Sequence, residues 1–203
     1  MSTPRQRQKE ETRGRLLVAA EAEFIQHGWA NASTARIALA AGVAHGTVFV
    51  HFPTREELLS ALLIDHAIRD TAELRTTLAQ APDLPSLCQR HLAWVEAHED
   101  YAAMLARELP ALPPRLQLTL VAGRSAVADA FLTALERGAA DGVLRRVDGA
   151  TAYAFWQGTL DYHLVHRHLF APDGRVIRAR GPALVHYFVA SLQPPAPLPR
   201  GPA

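Results

Sequence analysis

Cysteine is almost missing from this chain: Cys88 is the only one in 203 residues. A single thiol makes no disulfide within the chain and no CxxC metal or redox motif, which fits a reducing compartment. Lysine is as scarce, with Lys9 alone, so the basic side chains are almost wholly arginine. Net charge is also small, +1 at pH 7, which excludes a polycation. Apolar runs are short, and none approaches the roughly 18 to 20 residues of a membrane span. The first residues are polar and lack the apolar segment of a secretory signal. A soluble, cytoplasmic chain is therefore expected. No Gly-rich phosphate loop, GxSxG, HExxH or recognisable Cys/His pair occurs, so neither an enzyme nor a bound cofactor is expected.

What the chain does have is 49% hydrophobic residues, enough for a sizeable core, arranged almost throughout at helical spacing. The most telling stretch is Ser33 to Phe52, STARIALAAGVAHGTVFVHF. Ser33 is an N-cap residue, and Ile37, Ala38 and Ala41 define one apolar face. Gly42 then supplies a residue that tolerates positive φ. A second short helix follows from about Ala44 to His51. It has Val48 and Phe52 inward, Val43 in the turn, and His45, Gly46, Thr47, Phe49 and His51 outward. Two short helices across a tight turn, with small and polar residues on the second, have the geometry of a helix-turn-helix reading the DNA major groove.

The flanks extend the pattern. RGRLLVAAEAEFIQHGW reads as a helix with Leu17, Ala20 and Phe24 on one face and Gly28 as its stop. In FPTREELL, Thr54 and Glu57 make a capping box. Taken together, AAEAEFIQHGW…STARIALAAGVAHGTVFVHFPTREELL resembles the N-terminal domain of TetR/AcrR-type transcriptional regulators, over roughly residues 10–70. The resemblance implies DNA contacts from Thr34, Ala35 and Arg36 and from His45, Gly46, Thr47, Phe49 and His51. Arg36 is expected to read guanine or hold phosphate, His45 and Gly46 to face bases, and Thr47 and His51 to hold phosphate. The family usually carries Tyr where Phe49 stands, which removes a phenolic phosphate contact. It carries Lys where Arg55 stands, which keeps the charge. Arg5, Arg7, Lys9, Arg13 and Arg15 add a basic arm suited to phosphate.

Beyond residue 70 only a helical plan is legible. The expected fold is all-α with about nine helices: a helix-turn-helix domain over 10–70 (motif 33–52) and an effector-binding and dimerisation bundle over 71–192. The ends, 1–9 and 193–203, are expected to be flexible. The helix over 149–170 is apolar on two sides, with Tyr153, Trp156, Leu160 and Leu164 on one and Ala152, Phe155, Tyr162 and Leu169 on the other. Both sides are then buried, one against the chain's own core and one against a partner. With Leu184, Phe188 and Leu192 of the last helix, Tyr153, Trp156, Leu160 and Leu164 are the expected homodimer face. Gly181-Pro182 either kinks that last helix or starts it late.

The resemblance further implies a homodimer on a palindromic operator. It implies release by a small-molecule effector inside the bundle, through a swing of the helix that begins after Thr54. Trp94, His98, Met104, Leu105, Phe131, Trp156, Tyr162 and His163 are the candidate effector-pocket residues, and each also suits plain core. His163 and His166 lie three apart, so a metal-responsive regulator is a second reading. A helical ligand- or protein-binding module with a weakened reading head is a third. No metal site is assigned, because no third ligand is evident.

Overall fold

The computed structural model describes residues 3–172 and 174–195. Among them the chain forms ten α-helices and one short 3-10 turn, with no strand. They are α1 (Pro4–Asn31), α2 (Thr34–Ala40), α3 (His45–His51), α4 (Arg55–Ala79), α5 (Leu84–Ala97), α6 (Glu99–Glu108), α7 (Pro114–Ala140), α8 (Gly149–Val165), α9 (Arg167–Phe170) and α10 (Val176–Leu192), with the 3-10 turn Leu109–Ala111 between α6 and α7. The fold is all-α, as expected: an N-terminal helix-turn-helix domain and a C-terminal helical bundle.

Three local expectations need correction. The N-terminal arm is helical from Pro4, because Thr3 and Gln6 cap each other reciprocally and proline suits the first turn. The helix expected over 149–170 breaks at His166, which raises the helix count above nine. Pro182 neither delays nor ends α10, which begins six residues earlier, at Val176. The flexible tail expected over 193–203 falls, from residue 196 on, outside the described residues.

The chain divides into two compact units: Met1–Glu73 with Asp100–Arg124, and Leu74–Glu99 with Ser125–Ala203. The division differs from a single boundary at residue 70. The first unit recruits most of α6 and the start of α7, because Tyr101, Met104, Leu105 and Leu116 pack into its core. That core is built on α1, whose Leu16, Leu17, Ala20 and Phe24 recur at helical spacing. They meet Ile37 and Ala38 of α2, Val48 of α3 and Leu58, Leu59 and Leu62 of α4. His66, also buried, stacks on Tyr101 at 3.8 Å, with Nε2 3.2 Å from the Glu21 carboxylate.

The second unit centres on an aromatic group. Phe131 of α7 lies 5.7 Å from Trp156 of α8 and 6.4 Å from Phe188 of α10. The Trp156 Nε1–H donates to His91 Nδ1 at 3.0 Å, so a buried indole on α8 is tied to α5. Cys88 is fully buried, and burial pushes its thiol pKa well up, so it is an inert packing residue. Glu99 is also wholly buried: its carboxylate accepts the N–H of Val176 at 2.9 Å and of Ile177 at 3.2 Å. Those are the first free donors of α10, whose own N-cap position, Arg175, makes no side-chain cap. The α10 start is therefore set by a carboxylate 77 residues away in sequence.

Candidate nucleic-acid interface

The motif helices are seven residues each, too short to hold shape alone. Local signals start and stop them. Ser33 Oγ accepts the Arg36 N–H at 3.4 Å, and Gly42 takes φ 66 in the turn. Ile37, Ala38, Val48 and Phe52 turn inward, as their spacing predicts. The remaining support comes from α1. Glu23, buried on α1, accepts the Ser33 N–H at 2.8 Å and the Arg36 Nε–H at 2.8 and 3.1 Å, with Arg36 Nη2 also on Oε1. Arg36 Nη2 also donates to the Asn31 carbonyl at 2.9 Å. Arg15 Nη1 donates to the Ala41 carbonyl at 3.1 Å, holding the end of α2. The Arg13 guanidinium lies 4.4 Å over the Phe52 ring, at the end of α3.

This geometry corrects one expected role. Arg36 does not extend as a free reader of guanine; its guanidinium is committed to Glu23 and Asn31. Thr34 is likewise engaged, its hydroxyl 3.0 Å from His45 Nε2, which links the starts of α2 and α3. Ala35 is exposed beside them. On α3 the candidate residues differ in exposure. His45 and Gly46 are exposed, Thr47 and His51 are half-buried, and Phe49 is 44% exposed with His45 edge-on to its ring at 5.3 Å. Burial, then the charges of Lys9 and Arg13, lower the His51 pKa, which favours its neutral form. Lys9 and Arg13 also place basic charge next to α3. Arg55, the expected DNA contact at the family's Lys position, sits on an indole. Its guanidinium lies 4.3 Å over the Trp29 ring, with Nε and Nη2 buried and without a hydrogen-bond partner among the described residues.

The remaining candidates sort less cleanly. Met104 and Leu105 are core residues of the first unit, beside Phe24 and Leu59, and not part of a set in the second. Phe131 and Trp156 fill the aromatic core of the second unit. Trp94 and His98 stack on each other at 4.7 Å, with the Trp94 Nε1 buried and unpartnered among the described residues. Tyr162 is exposed and His163 packs on Phe170 at 4.6 Å. The expected dimer face is also corrected. Trp156, Leu160, Leu164, Phe188 and Leu192 are buried in the chain's own core, Tyr153 packs on Phe131 at 5.5 Å, and Leu184 is half-buried. The exposed stripe is the other one, Phe155, Tyr162 and Leu169, joined by Tyr187 of α10. No group of three His, Cys, Asp or Glu is placed to hold a metal among the described residues; the Nδ1 atoms of His163 and His166 bond the Thr159 and Tyr162 carbonyls. Among the described residues no single helix is long and apolar enough to cross a membrane.

A braced helix-turn-helix with an outward polar helix defines a DNA-binding class of protein. Comparison with known proteins narrows it. Residues 16–62 match the family of bacterial regulatory proteins, tetR family, and residues 83–167 match the tetracyclin repressor-like C-terminal domain. The chain belongs to the TetR family of helix-turn-helix transcriptional regulators, not a family of enzymes. An uncharacterized HTH-type transcriptional regulator of Mycobacterium bovis is 35% identical over 88 residues, covering 43% of this chain and 45% of that protein. The matched stretch is thus less than half the length of that curated relative. Among solved structures, the fatty acid degradation regulator FadR from Bacillus halodurans aligns with a TM-score of 0.72 at 23% identity, over 89% of this chain and 99% of that one. FadR from Bacillus subtilis, in complex with stearoyl-CoA, aligns at 0.74 with 16% identity over 89% of this chain and 99% of that one. These two establish the fold.

The Glu23 clasp has a pH signature. The Arg36 guanidinium, with the Ser33 N–H, holds the Glu23 carboxyl below its ordinary 4.5. A carboxyl with a depressed folded-state pKa contributes fully above its unfolded pKa and loses that contribution as pH falls through the folded one. Glu23→Gln should therefore cost about 1–3 kcal/mol at pH 7 in urea unfolding. The gap to the native protein should hold down to about pH 5 and close below it. A gap independent of pH would contradict the ion pair.

Proposed function

We propose that this chain is a one-component transcriptional regulator, a repressor that binds a roughly palindromic operator as a homodimer and lets go when a small molecule enters the C-terminal bundle. The observation that carries the reading is the outward face of α3. It presents exposed His45 and Gly46 with Phe49, on a helix braced from behind by α1 and flanked by Lys9 and Arg13. His45 and Gly46 suit base edges; Thr47, His51 and the basic arm suit phosphates. Two such helices in a dimer would enter major grooves one helical turn apart, about 34–36 Å.

The dimer reading is supported by Phe155 and Tyr162, seven residues apart on one stripe of α8. Tyr187 on α10 adds to them, with the two helices in ring contact through Phe155 and Phe188. Large rings this exposed are favourable to cover. The effector reading is supported by the buried, unpartnered Trp94 Nε1 beside His98, which suits an apolar or aromatic ligand carrying a hydrogen-bond acceptor. The site of that ligand and its identity follow from binding experiments.

Fluorescence anisotropy against the DNA upstream of its own gene, at two salt concentrations and with scrambled competitor, tests the reading. Specific binding should survive the competitor. His45→Ala should weaken it by about 1–3 kcal/mol while leaving scrambled-DNA affinity unchanged. Binding that scrambled DNA abolishes would leave only electrostatic attachment. Separately, Phe155→Glu with Tyr187→Glu should turn a dimer into a folded monomer in sedimentation. A protein that stays dimeric would place the interface elsewhere.

A further inference from the structure

We propose that Glu108, the last residue of α6, is a positioning residue for the DNA-reading head and sets Arg55 through Trp29. The proposal rests on the DNA-binding reading above. It starts at the break in α1, where Gly28 takes φ 72 and ends the regular ladder. The next donor, the Trp29 N–H, has lost its helical acceptor, and a buried amide in that state needs another. Glu108 Oε2 accepts it at 3.1 Å. The approach is close: a Cβ on residue 28 would lie 2.8 Å from Glu108 Oε1, so the clasp and the positive φ require glycine together. Arg107 Nε holds the same carboxylate at 3.0 Å.

Trp29 then carries the constraint onward. Its ring packs on Phe24 at 5.7 Å and takes the Arg55 guanidinium on its face at 4.3 Å. A cation at that distance is attracted by the ring's quadrupole. Arg55 has no hydrogen bond at Nε or Nη2 among the described residues, so the indole is its platform. Nε and Nη2 are closed off on that platform, so a DNA phosphate would meet the half-buried Arg55 side chain through Nη1. There is little slack: the void bordered by Phe24, Trp29, Met104 and Glu108 is about 10 Å³, at or below the room for one water. Freeing the amide from Glu108 lets Trp29 move, and Arg55 loses the surface that aims it.

Two measurements test this on the full chain. The first is a double-mutant cycle on operator affinity. Arg55→Ala should weaken binding about tenfold and flatten the salt slope by about one phosphate. Glu108→Ala should weaken it about fivefold with a similar flattening, and the double variant should bind no worse than Arg55→Ala, a coupling of about fivefold. Glu108→Gln, which keeps an oxygen acceptor, should bind nearly as the native protein does. Losses that multiply, or an unchanged slope in Glu108→Ala, overturn the proposal. The second is ¹⁹F NMR of the fluorotryptophan-labelled protein, which has three tryptophans. Glu108→Ala should shift the Trp29 resonance and leave Trp94 and Trp156 in place, which also reports that the variant is folded. An unmoved Trp29 resonance overturns the clasp. If the native chain binds no DNA specifically, the function reading fails at the first step, while the Trp29 resonance still decides the clasp.

Discussion

One carboxylate decides the shape of the reading head. Glu23 on α1 takes the backbone N–H that opens α2 and the guanidinium one turn further along it. Without that clasp, α2 is a seven-residue helix with one weak cap and a small apolar face. Isolated helices of that length do not persist in water. The same dependence extends to the other end of the motif, where Arg15 holds the Ala41 carbonyl and Arg13 covers Phe52. A single long helix thus braces both short ones from behind. The consequence is a division of labour: Arg13, Arg15 and Arg36 hold the motif together, and α3 carries its outward face. A buried ion pair of this kind is weak evidence for high stability, but it does fix register, and register is what a DNA-reading helix needs.

Carboxylates at the ends of α6 repeat the device. Glu99, its first residue, supplies the cap that α10 lacks. Glu108, its last, supplies the acceptor that the break in α1 lacks. In each case a helix end leaves backbone donors without partners, and a side chain distant in sequence meets them. Helix positions in both units are therefore specified by a few charged hydrogen bonds laid over apolar packing that would tolerate small slides.

Much of this was legible in the sequence wherever the signal was local. Ser33, Gly42, Val48 and Phe52 announce the motif within twenty residues, and the family resemblance follows from them. The capping box at Thr54 likewise marks the start of α4, at Arg55. What was not legible depends on partners far away in sequence. Glu23 interrupts the apolar stripe between Ala20 and Phe24 and reads as a solvated residue until Arg36 is seen beside it. The Trp29–Glu108 contact spans 79 residues, and nothing in either neighbourhood signals it. Which face of α8 the chain buries is hidden in the sequence for a different reason. With apolar residues on both sides, the sequence has no asymmetry to show which side the chain buries itself. The basic arm was read as flexible on its composition, although the Thr3–Gln6 cap and Pro4 are a helix start by local rules.

On this geometry α1 holds the helix-turn-helix formed before DNA arrives. Amide hydrogen exchange of the free protein tests it most directly, comparing the native chain with Glu23→Ala. In the native chain α2 and α3 should be protected, with stabilities approaching that of the α1 core, and Glu23→Ala should release α2 and α3 selectively. Exchange of α2 and α3 near the unfolded rate in the native chain, or protection indifferent to Glu23, would contradict it.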